Sequence, residues 1–295
     1  MVAQLGLIDS LVGVSDECRW PSEVVGKPIV TAAKIDPSTL SNIEIDQAVR
    51  DSLLEGVSLY SVDAELIEEL EPDLIITQDL CAVCAVSSGA LASACPAGTA
   101  MLSLDPRTLS EVADSVRILA RAVDRVDRGE EIVAEMWSTI DGAADAVRGL
   151  PRKRIFFAEW IEPPFSAGHW LPEMIELAGG IDVLGNAGQP SRAVTWDAVA
   201  AAAPELIVIA PCGFDADAAA ARAEGLTLPC PAIAVDADSY YSRPAPRLAA
   251  GVAQLAHLLH PESASDPGLP AIALRMGRPT FVQVTGSASA GRSVR

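Results

Sequence analysis

Two short stretches decide the fold of this 295-residue chain: Glu71-Pro-Asp-Leu-Ile-Ile-Thr-Gln78 and Ala203-Pro-Glu-Leu-Ile-Val-Ile-Ala210. Each follows a segment with helical periodicity, and each contains a continuous apolar run rich in β-branched residues. Such a run is typical of a strand that is buried on both faces of a parallel sheet. The repeat therefore predicts an α/β fold with two Rossmann-like lobes.

The chain between and around these stretches predicts the domain organisation. Residues 108–150 contain no proline and repeat apolar residues at helical spacing, which predicts a long connecting helix with a break allowed near Gly129. Two ordinary helices of one lobe are the alternative. The lobes are then 1–107 and 151–262, and residues 263–295, rich in Ser, Gly, Pro and Ala, predict a disordered tail.

Charge and composition exclude several kinds of partner. With 40 acidic and 21 basic residues the formal charge is −19, which would be repelled by nucleic acid and by anionic membranes. No run reaches the roughly 20 apolar residues of a membrane span, and the N-terminus lacks the pattern of a signal peptide. We expect a monomer that is cytoplasmic as the chain is written, or extracytoplasmic if an upstream signal segment has been lost.

The usual signatures of enzymes are missing from the sequence. It contains no Gly-x-Ser-x-Gly, no phosphate loop and no Gly-x-Gly-x-x-Gly, so nucleophilic, phosphoryl and dinucleotide chemistry lack their usual supports. We therefore expect no enzymatic activity and no required cofactor.

Aromatic residues cluster in the loops that follow the predicted strands. In open parallel sheets ligands bind at the carboxyl ends of the strands, so these loops are expected to face a common cleft. Aromatic rings on loops suit a large flat ligand, although each ring could instead anchor its loop to the core. The rings in or beside these loops are Trp20, Trp160, Phe165, Trp170, Phe214, Tyr240 and Tyr241.

Cysteines on the same predicted loops suggest a second kind of site. Cys81 and Cys84 form a Cys-x-x-Cys pair, and Cys18 and Cys212 follow other strands. Together they could hold Zn²⁺ or iron through thiolates, act as a redox pair, or be small buried hydrophobic residues. His169 could contact a ligand, join a metal site, or begin the helix at Leu171.

Five separated segments resemble one family. Gly13–Pro21, Pro72–Cys84, Ala167–Trp170, Pro211–Phe214 and Tyr241–Pro244 are similar to the cobalamin-binding branch of the iron/B12 substrate-binding proteins of ABC importers. The resemblance runs from about Leu5 to Pro261. It implies two lobes joined by one rigid helix, a ligand cleft between them and little closure on binding. The family normally has a strand and a helix ahead of Leu5, and without them the first lobe would lack a strand.

The resemblance also implies the site residues. A corrinoid would lie flat between the lobes, and an ABC permease would dock on Glu65 and Asp197, although acidic residues at these positions also complement helix dipoles. The leading hypothesis is a corrinoid-binding protein, and the alternative is a thiolate metal-binding protein. The predicted ligand contacts are Glu17, Trp20, Asp79, Leu80, Trp160, Phe165, His169, Trp170, Phe214, Tyr240, Tyr241 and Arg243.

Overall fold

A computed structural model of the chain describes residues 1–78, 91 and 94–274. In the N-terminal half, short 3₁₀ turns lie at Ile8–Ser10 and Ser22–Val24. The strands of this half are Val14–Ser15 (β1), Ile29–Ala33 (β2), Tyr60–Val62 (β3), Leu74–Thr77 (β4) and Ala100–Ser103 (β5). Its helices are Asn42–Glu55 (α1) and Ala64–Leu70 (α2). The predicted strand after Glu71-Pro-Asp is thus confirmed as β4.

The N-terminal strands form two sheets rather than one. β1 pairs in parallel with β2, which pairs antiparallel with β3, while β4 and β5 form a separate parallel pair. Ile67 of α2 lies in one apolar cluster with Val30 of β2 and Ile75 of β4, so both sheets pack under the same helix. A cavity of about 480 Å³ is lined by residues of β1 and β4. Within the described ranges, the strands of the first lobe thus form two separate sheets, β1-β2-β3 and β4-β5, instead of one continuous sheet.

The segment between the halves folds into two helices, Leu109–Ala122 (α3) and Val126–Ala146 (α4). The long helix predicted over 108–150 is interrupted at 123–125, close to Gly129, where the prediction allowed a break. The alternative, two ordinary helices of one lobe, stays a prediction. Asp124 adopts a left-handed backbone conformation (φ 54°), which interrupts the helix between them. Gly129 then brings α4 against α3, because a Cβ at this position would lie 2.4 Å from Cβ of Ala120.

The C-terminal half is built on a five-stranded sheet. The strands of the C-terminal half, five of which form this sheet, are Lys153–Ala158 (β6), Trp160–Ile161 (β7), Pro164–Phe165 (β8), Gly168–His169 (β9), Gly180–Asp182 (β10), Asn186–Ala187 (β11), Leu206–Ile209 (β12), Ala232–Val235 (β13) and Ala271–Leu274 (β14). Its helices are Leu171–Leu177 (α5), Trp196–Ala201 (α6), Ala216–Arg222 (α7), Ala237–Tyr240 (α8) and Leu248–Leu259 (α9). The sheet order is β10-β6-β12-β13-β14, parallel except for β14. The predicted strands β6, β12 and β13 are confirmed.

The start of the predicted disordered tail is ordered, which corrects that prediction for residues 263–274. β14 pairs with the open edge of β13, and its residues Ile272 and Leu274 pack on the apolar cluster of that sheet. Gln254 also donates hydrogen bonds to the carbonyl oxygens of Leu269 and Pro270. Residues 275–295 lie outside the described part of the chain.

One apolar cluster crosses from one half to the other. It includes Leu5 and Leu104 of the N-terminal half, α3 and α4, and Val208 and Val235 of the C-terminal sheet. The two halves are therefore joined by a common core as well as by the chain. None of the helices in the described ranges combines the length and apolar character that a membrane span needs.

Candidate ligand-binding cleft

A tight loop after β1 carries the N-terminal side of the cleft. The Asp16 carboxylate accepts a hydrogen bond from the Ala33 backbone N–H (2.9 Å), and the Cys18 N–H donates to the Ser15 carbonyl (2.9 Å). These bonds fix the loop against β2 and present Glu17 and Trp20. Trp20 remains 48% exposed, which is unusual for the largest apolar side chain.

Arg243 of the C-terminal half forms an ion pair across the cleft. Its Nη2 lies 3.3 Å from Oε2 of Glu17, and its Nε donates to Oδ1 of Asp238 at 3.0 Å. Burial alone would lower the pKa of Arg243, but the carboxylates of Asp238 and Glu17 outweigh burial and raise it. The predicted site residues Glu17 and Arg243 are therefore brought together, as a bridge between the halves.

Arg247 joins the two predicted aromatic residues on either side of the same cleft. Its guanidinium carbon lies 4.7 Å from the ring centroid of Trp20 and 4.5 Å from that of Tyr240. Cation–π contacts of this kind favour Arg over Lys because the planar guanidinium can stack on a ring. We call Glu17, Trp20, Tyr240, Arg243 and Arg247 the cleft cluster.

A second set of contacts joins the halves through Arg222 at the end of α7. Arg222 lies over the ring of Phe214, 4.0 Å from its centroid, and donates to Oδ1 of Asn42 at 2.9 Å. Asn42 in turn donates to Oε2 of Glu162 at 2.7 Å. Burial lowers the pKa of Arg222. Trp160 packs beside Phe214, with ring centroids 6.1 Å apart, so these two predicted residues also lie next to a contact between the halves.

Trp170 and Tyr241 are in the core, so the prediction that they contact a ligand is corrected. Trp170 is 3% and Tyr241 1% exposed. The Trp170 indole N–H donates to the Tyr241 carbonyl (2.8 Å), and the Tyr241 hydroxyl donates to Oε1 of Gln254 (2.7 Å). Their polar atoms are thus used inside the protein, and the alternative of a structural role holds for both.

The loop from Glu159 to Trp170 contains two buried nitrogen atoms without a hydrogen-bond partner among the described residues: Nε1 of Trp160 and Nε2 of His169. His169 has a left-handed backbone (φ 47°), and burial, with a smaller effect of Arg107, lowers its pKa. The lowered pKa favours the neutral imidazole. Phe165 is half-buried in β8 and pairs with Trp160 in the β7–β8 hairpin.

The cysteine prediction can be followed only in part. Cys18 is exposed on the N-terminal loop and Cys212 is half-buried on the opposite side, while Cys81, Cys84, Asp79 and Leu80 lie outside the described residues. Over residues 1–78, 91 and 94–274, no group of three or more His, Cys, Asp or Glu side chains is arranged to hold a metal ion. The thiolate site therefore stays a prediction.

Glu65 and Asp197 occupy equivalent places in the two halves. Each lies in the first turn of a short helix, α2 or α6, whose N-cap is Asp63 or Thr195. The positions match the predicted docking pattern, and they also suit the helix dipole. Permease docking stays a prediction.

The sequence did not single out Arg247, Arg222, Asn42 or Glu162. Arg247 lies three residues after Tyr241–Pro244, the last segment that resembles the family. The two prolines in Arg243-Pro-Ala-Pro-Arg247 restrict the backbone ahead of the helix, and they were a signal that the position of Arg247 is fixed. Asn42 and Arg222 are far apart in the sequence, and only the fold brings them together.

Comparison with known proteins agrees with this architecture. Residues 1–226 match the periplasmic binding protein family, and the chain belongs to that family. The periplasmic heme-binding protein RhuT from Roseiflexus sp. RS-1 is 22% identical, with a TM-score of 0.64 over 88% of this chain and 93% of its own. A periplasmic heme-binding protein from Pseudomonas aeruginosa is 19% identical, with a TM-score of 0.68 over 94% and 95%. The periplasmic vitamin B12-binding protein BtuF of Vibrio cholerae is 21% identical, with a TM-score of 0.62 over 88% and 91%.

These similarities identify the class of protein. The family and these neighbours are solute-binding proteins rather than enzymes, and their fold is mixed α/β with parallel sheets and a ligand cleft. At these identities the neighbours establish the fold, and they include proteins for two different tetrapyrroles.

Proposed function

We propose that this chain is the solute-binding component of an ABC importer and that it binds a corrinoid in the cleft between its halves. The observation that carries the proposal is the cleft cluster, in which Trp20 from one half and Tyr240 from the other lie over the same guanidinium. Aromatic side chains supply large, rigid contact area for a flat ligand.

A tetrapyrrole is the ligand class that the cleft supports best. Neighbours with this fold bind heme or vitamin B12, and the macrocycles of both are large and flat. Between the two we favour the corrinoid, because the five sequence segments resemble the cobalamin-binding branch. A thiolate metal-binding protein is less favoured, since the family and its neighbours bind solutes in the cleft.

An importer needs a permease, and the two halves offer matched positions for one. Glu65 and Asp197 sit in the first turns of α2 and α6, where they would meet basic residues of a permease. The family match favours an extracytoplasmic protein over the cytoplasmic location that the N-terminal sequence predicts.

Calorimetric titration with hydroxocobalamin tests the proposal. We expect one corrinoid to bind per chain, and we expect Trp20→Ala with Tyr240→Ala to weaken binding about tenfold or more, because each aromatic contact contributes roughly 0.5–1.5 kcal/mol. The matched control, Trp20→Phe with Tyr240→Phe, keeps the rings and should bind nearly as well as the wild type.

Two results would contradict the proposal. If the wild type gives neither heat nor an absorbance change with hydroxocobalamin but binds hemin, the ligand is a heme. If it binds neither, and metal is found in anaerobically purified protein, the thiolate site becomes the better assignment.

A further inference from the structure

The three arginines at the cleft have different partners. Arg243 faces two carboxylates, those of Glu17 and Asp238. Arg222 donates to Asn42 and to the carbonyl oxygens of Pro37 and Leu40. Arg247 contacts the rings of Trp20 and Tyr240, and within the described ranges no carboxylate lies within 4.0 Å of it. Among the described residues, its contacts are thus with rings alone, whereas Arg222 has oxygen acceptors.

Arg247 has no ion pair with a described carboxylate, although the chain has 40 acidic residues against 21 basic ones. Arg247 is half-buried, so part of its hydration is lost, and no carboxylate in 1–78, 91 or 94–274 forms an ion pair that would replace it. The guanidinium carbon lies over both rings. Within the described part of the chain the N–H groups of Arg247 have no hydrogen-bond acceptor, so they are available to an oxyanion.

Arg247 is also held in place. It directly precedes α9, its carbonyl accepts a hydrogen bond from the Ala250 N–H (3.1 Å), and Pro246 before it restricts the backbone. The side chain itself is held by its contacts with the two rings, and a side chain that is held before binding loses less conformational entropy when it pairs with a ligand. These features are those of a recognition residue rather than of a mobile surface arginine.

We propose that Arg247 recognises an oxyanion on the rim of the ligand, either a carboxylate or a phosphodiester, through charge-assisted hydrogen bonds. The inference rests on the proposed function and narrows its ligand class to macrocycles with an ionised side group. The rings of Trp20 and Tyr240 then position the guanidinium and also contact the macrocycle.

Two pairs of probes separate the possible sources of the oxyanion. Hydroxocobalamin carries a phosphodiester that aquocobinamide lacks, and hemin carries carboxylates that hemin dimethyl ester lacks. We expect the wild type to prefer the anionic member of at least one pair by about tenfold to 100-fold, the range for a hydrogen bond to a charged group. Arg247→Gln, which is planar and uncharged, should remove that preference.

The control is Arg148→Gln, the same substitution at a residue that is exposed and paired with Asp145 on the surface. It should keep the preference of the wild type. The preference should also fall as salt is added to the wild type, and it should be insensitive to salt in Arg247→Gln.

The outcomes distinguish the two claims. If the wild type binds both members of each pair equally, or if Arg247→Gln keeps the preference, the inference is wrong while the proposed function stands. If neither corrinoid binds, the proposed function fails, and if neither heme binds as well, the inference fails with it.

Discussion

At the scale of single residues, Tyr241 stabilises the C-terminal half through both its ring and its hydroxyl. The ring packs on Phe157, with centroids 5.3 Å apart, and the hydroxyl donates to Gln254. Burial, reinforced by the negative charge of Asp236, raises its pKa well above the ordinary value of 10, so the hydroxyl remains a donor at all physiological pH values. Gln254 continues this network to the segment that leads into β14.

Removing this hydroxyl should therefore cost stability without affecting ligand binding. We expect Tyr241→Phe to lower the free energy of unfolding by about 1–3 kcal/mol, because Oε1 of Gln254 loses its donor inside the core. Urea unfolding measures the loss, and calorimetry with hydroxocobalamin checks binding. A variant that unfolds like the wild type but binds tenfold more weakly would return Tyr241 to the ligand site.

Residue types alone could identify the loops of the site but not the direction of each side chain. Tyr240 and Tyr241 are neighbours of the same type, yet Tyr240 lies over Arg247 and Tyr241 is in the core. The backbone at the end of α8 decides between them, and that geometry is set by tertiary packing. For the same reason the sequence indicated Trp170 as a ligand contact, although its indole is bonded inside the protein.

At the scale of elements, the packing of α3 against α4 depends on a glycine. Gly129 lies where the two helices are so close that a methyl group would overlap with Ala120. Gly142, on the same helix, has open space around its Cα. Replacing each glycine by alanine therefore distinguishes two effects on stability. Both substitutions raise helix propensity, but only the one at Gly129 disturbs close packing.

The two substitutions should change stability in opposite directions. Gly129→Ala is expected to lower the free energy of unfolding by about 1–3 kcal/mol, because the cost of overpacking exceeds the gain in helix propensity. Gly142→Ala should raise it by roughly 0.5–1 kcal/mol. Urea unfolding of both variants measures the difference. If Gly129→Ala is as stable as Gly142→Ala, the close contact between α3 and α4 is not present.

The elements were predictable where the local signal was complete. β4, β6, β12 and β13 are short continuous apolar runs with clear boundaries, and all four form as expected. For the break between α3 and α4 the sequence indicated only an approximate place, near Gly129, because a turn of three residues hardly disturbs the helical spacing of apolar side chains. β14 was missed because its local signal is weak: the strand Ala271–Leu274 has two large apolar residues and lies in a segment rich in Ser, Gly, Pro and Ala.

At the scale of the whole molecule, the two halves are connected in three ways. The first connection is the apolar core that includes α3 and α4. The second is the cleft cluster, in which Glu17 forms an ion pair with Arg243 and Trp20 contacts Arg247. The third is Asn42, which is hydrogen-bonded to Arg222 and to Glu162. We expect these contacts to hold the width of the cleft when a ligand binds. That would suit a rigid, flat ligand such as the proposed tetrapyrrole.

The most direct measurement is a crystal structure of the protein with hydroxocobalamin, with anomalous diffraction recorded at the cobalt edge. The proposed function predicts a single cobalt peak between the two halves, beside Trp20 and Tyr240, with the corrin ring in contact with both side chains. Crystals without a cobalt peak would contradict the proposed function. So would a cobalt peak far from Trp20 and Tyr240, for example at Cys95 or Cys230.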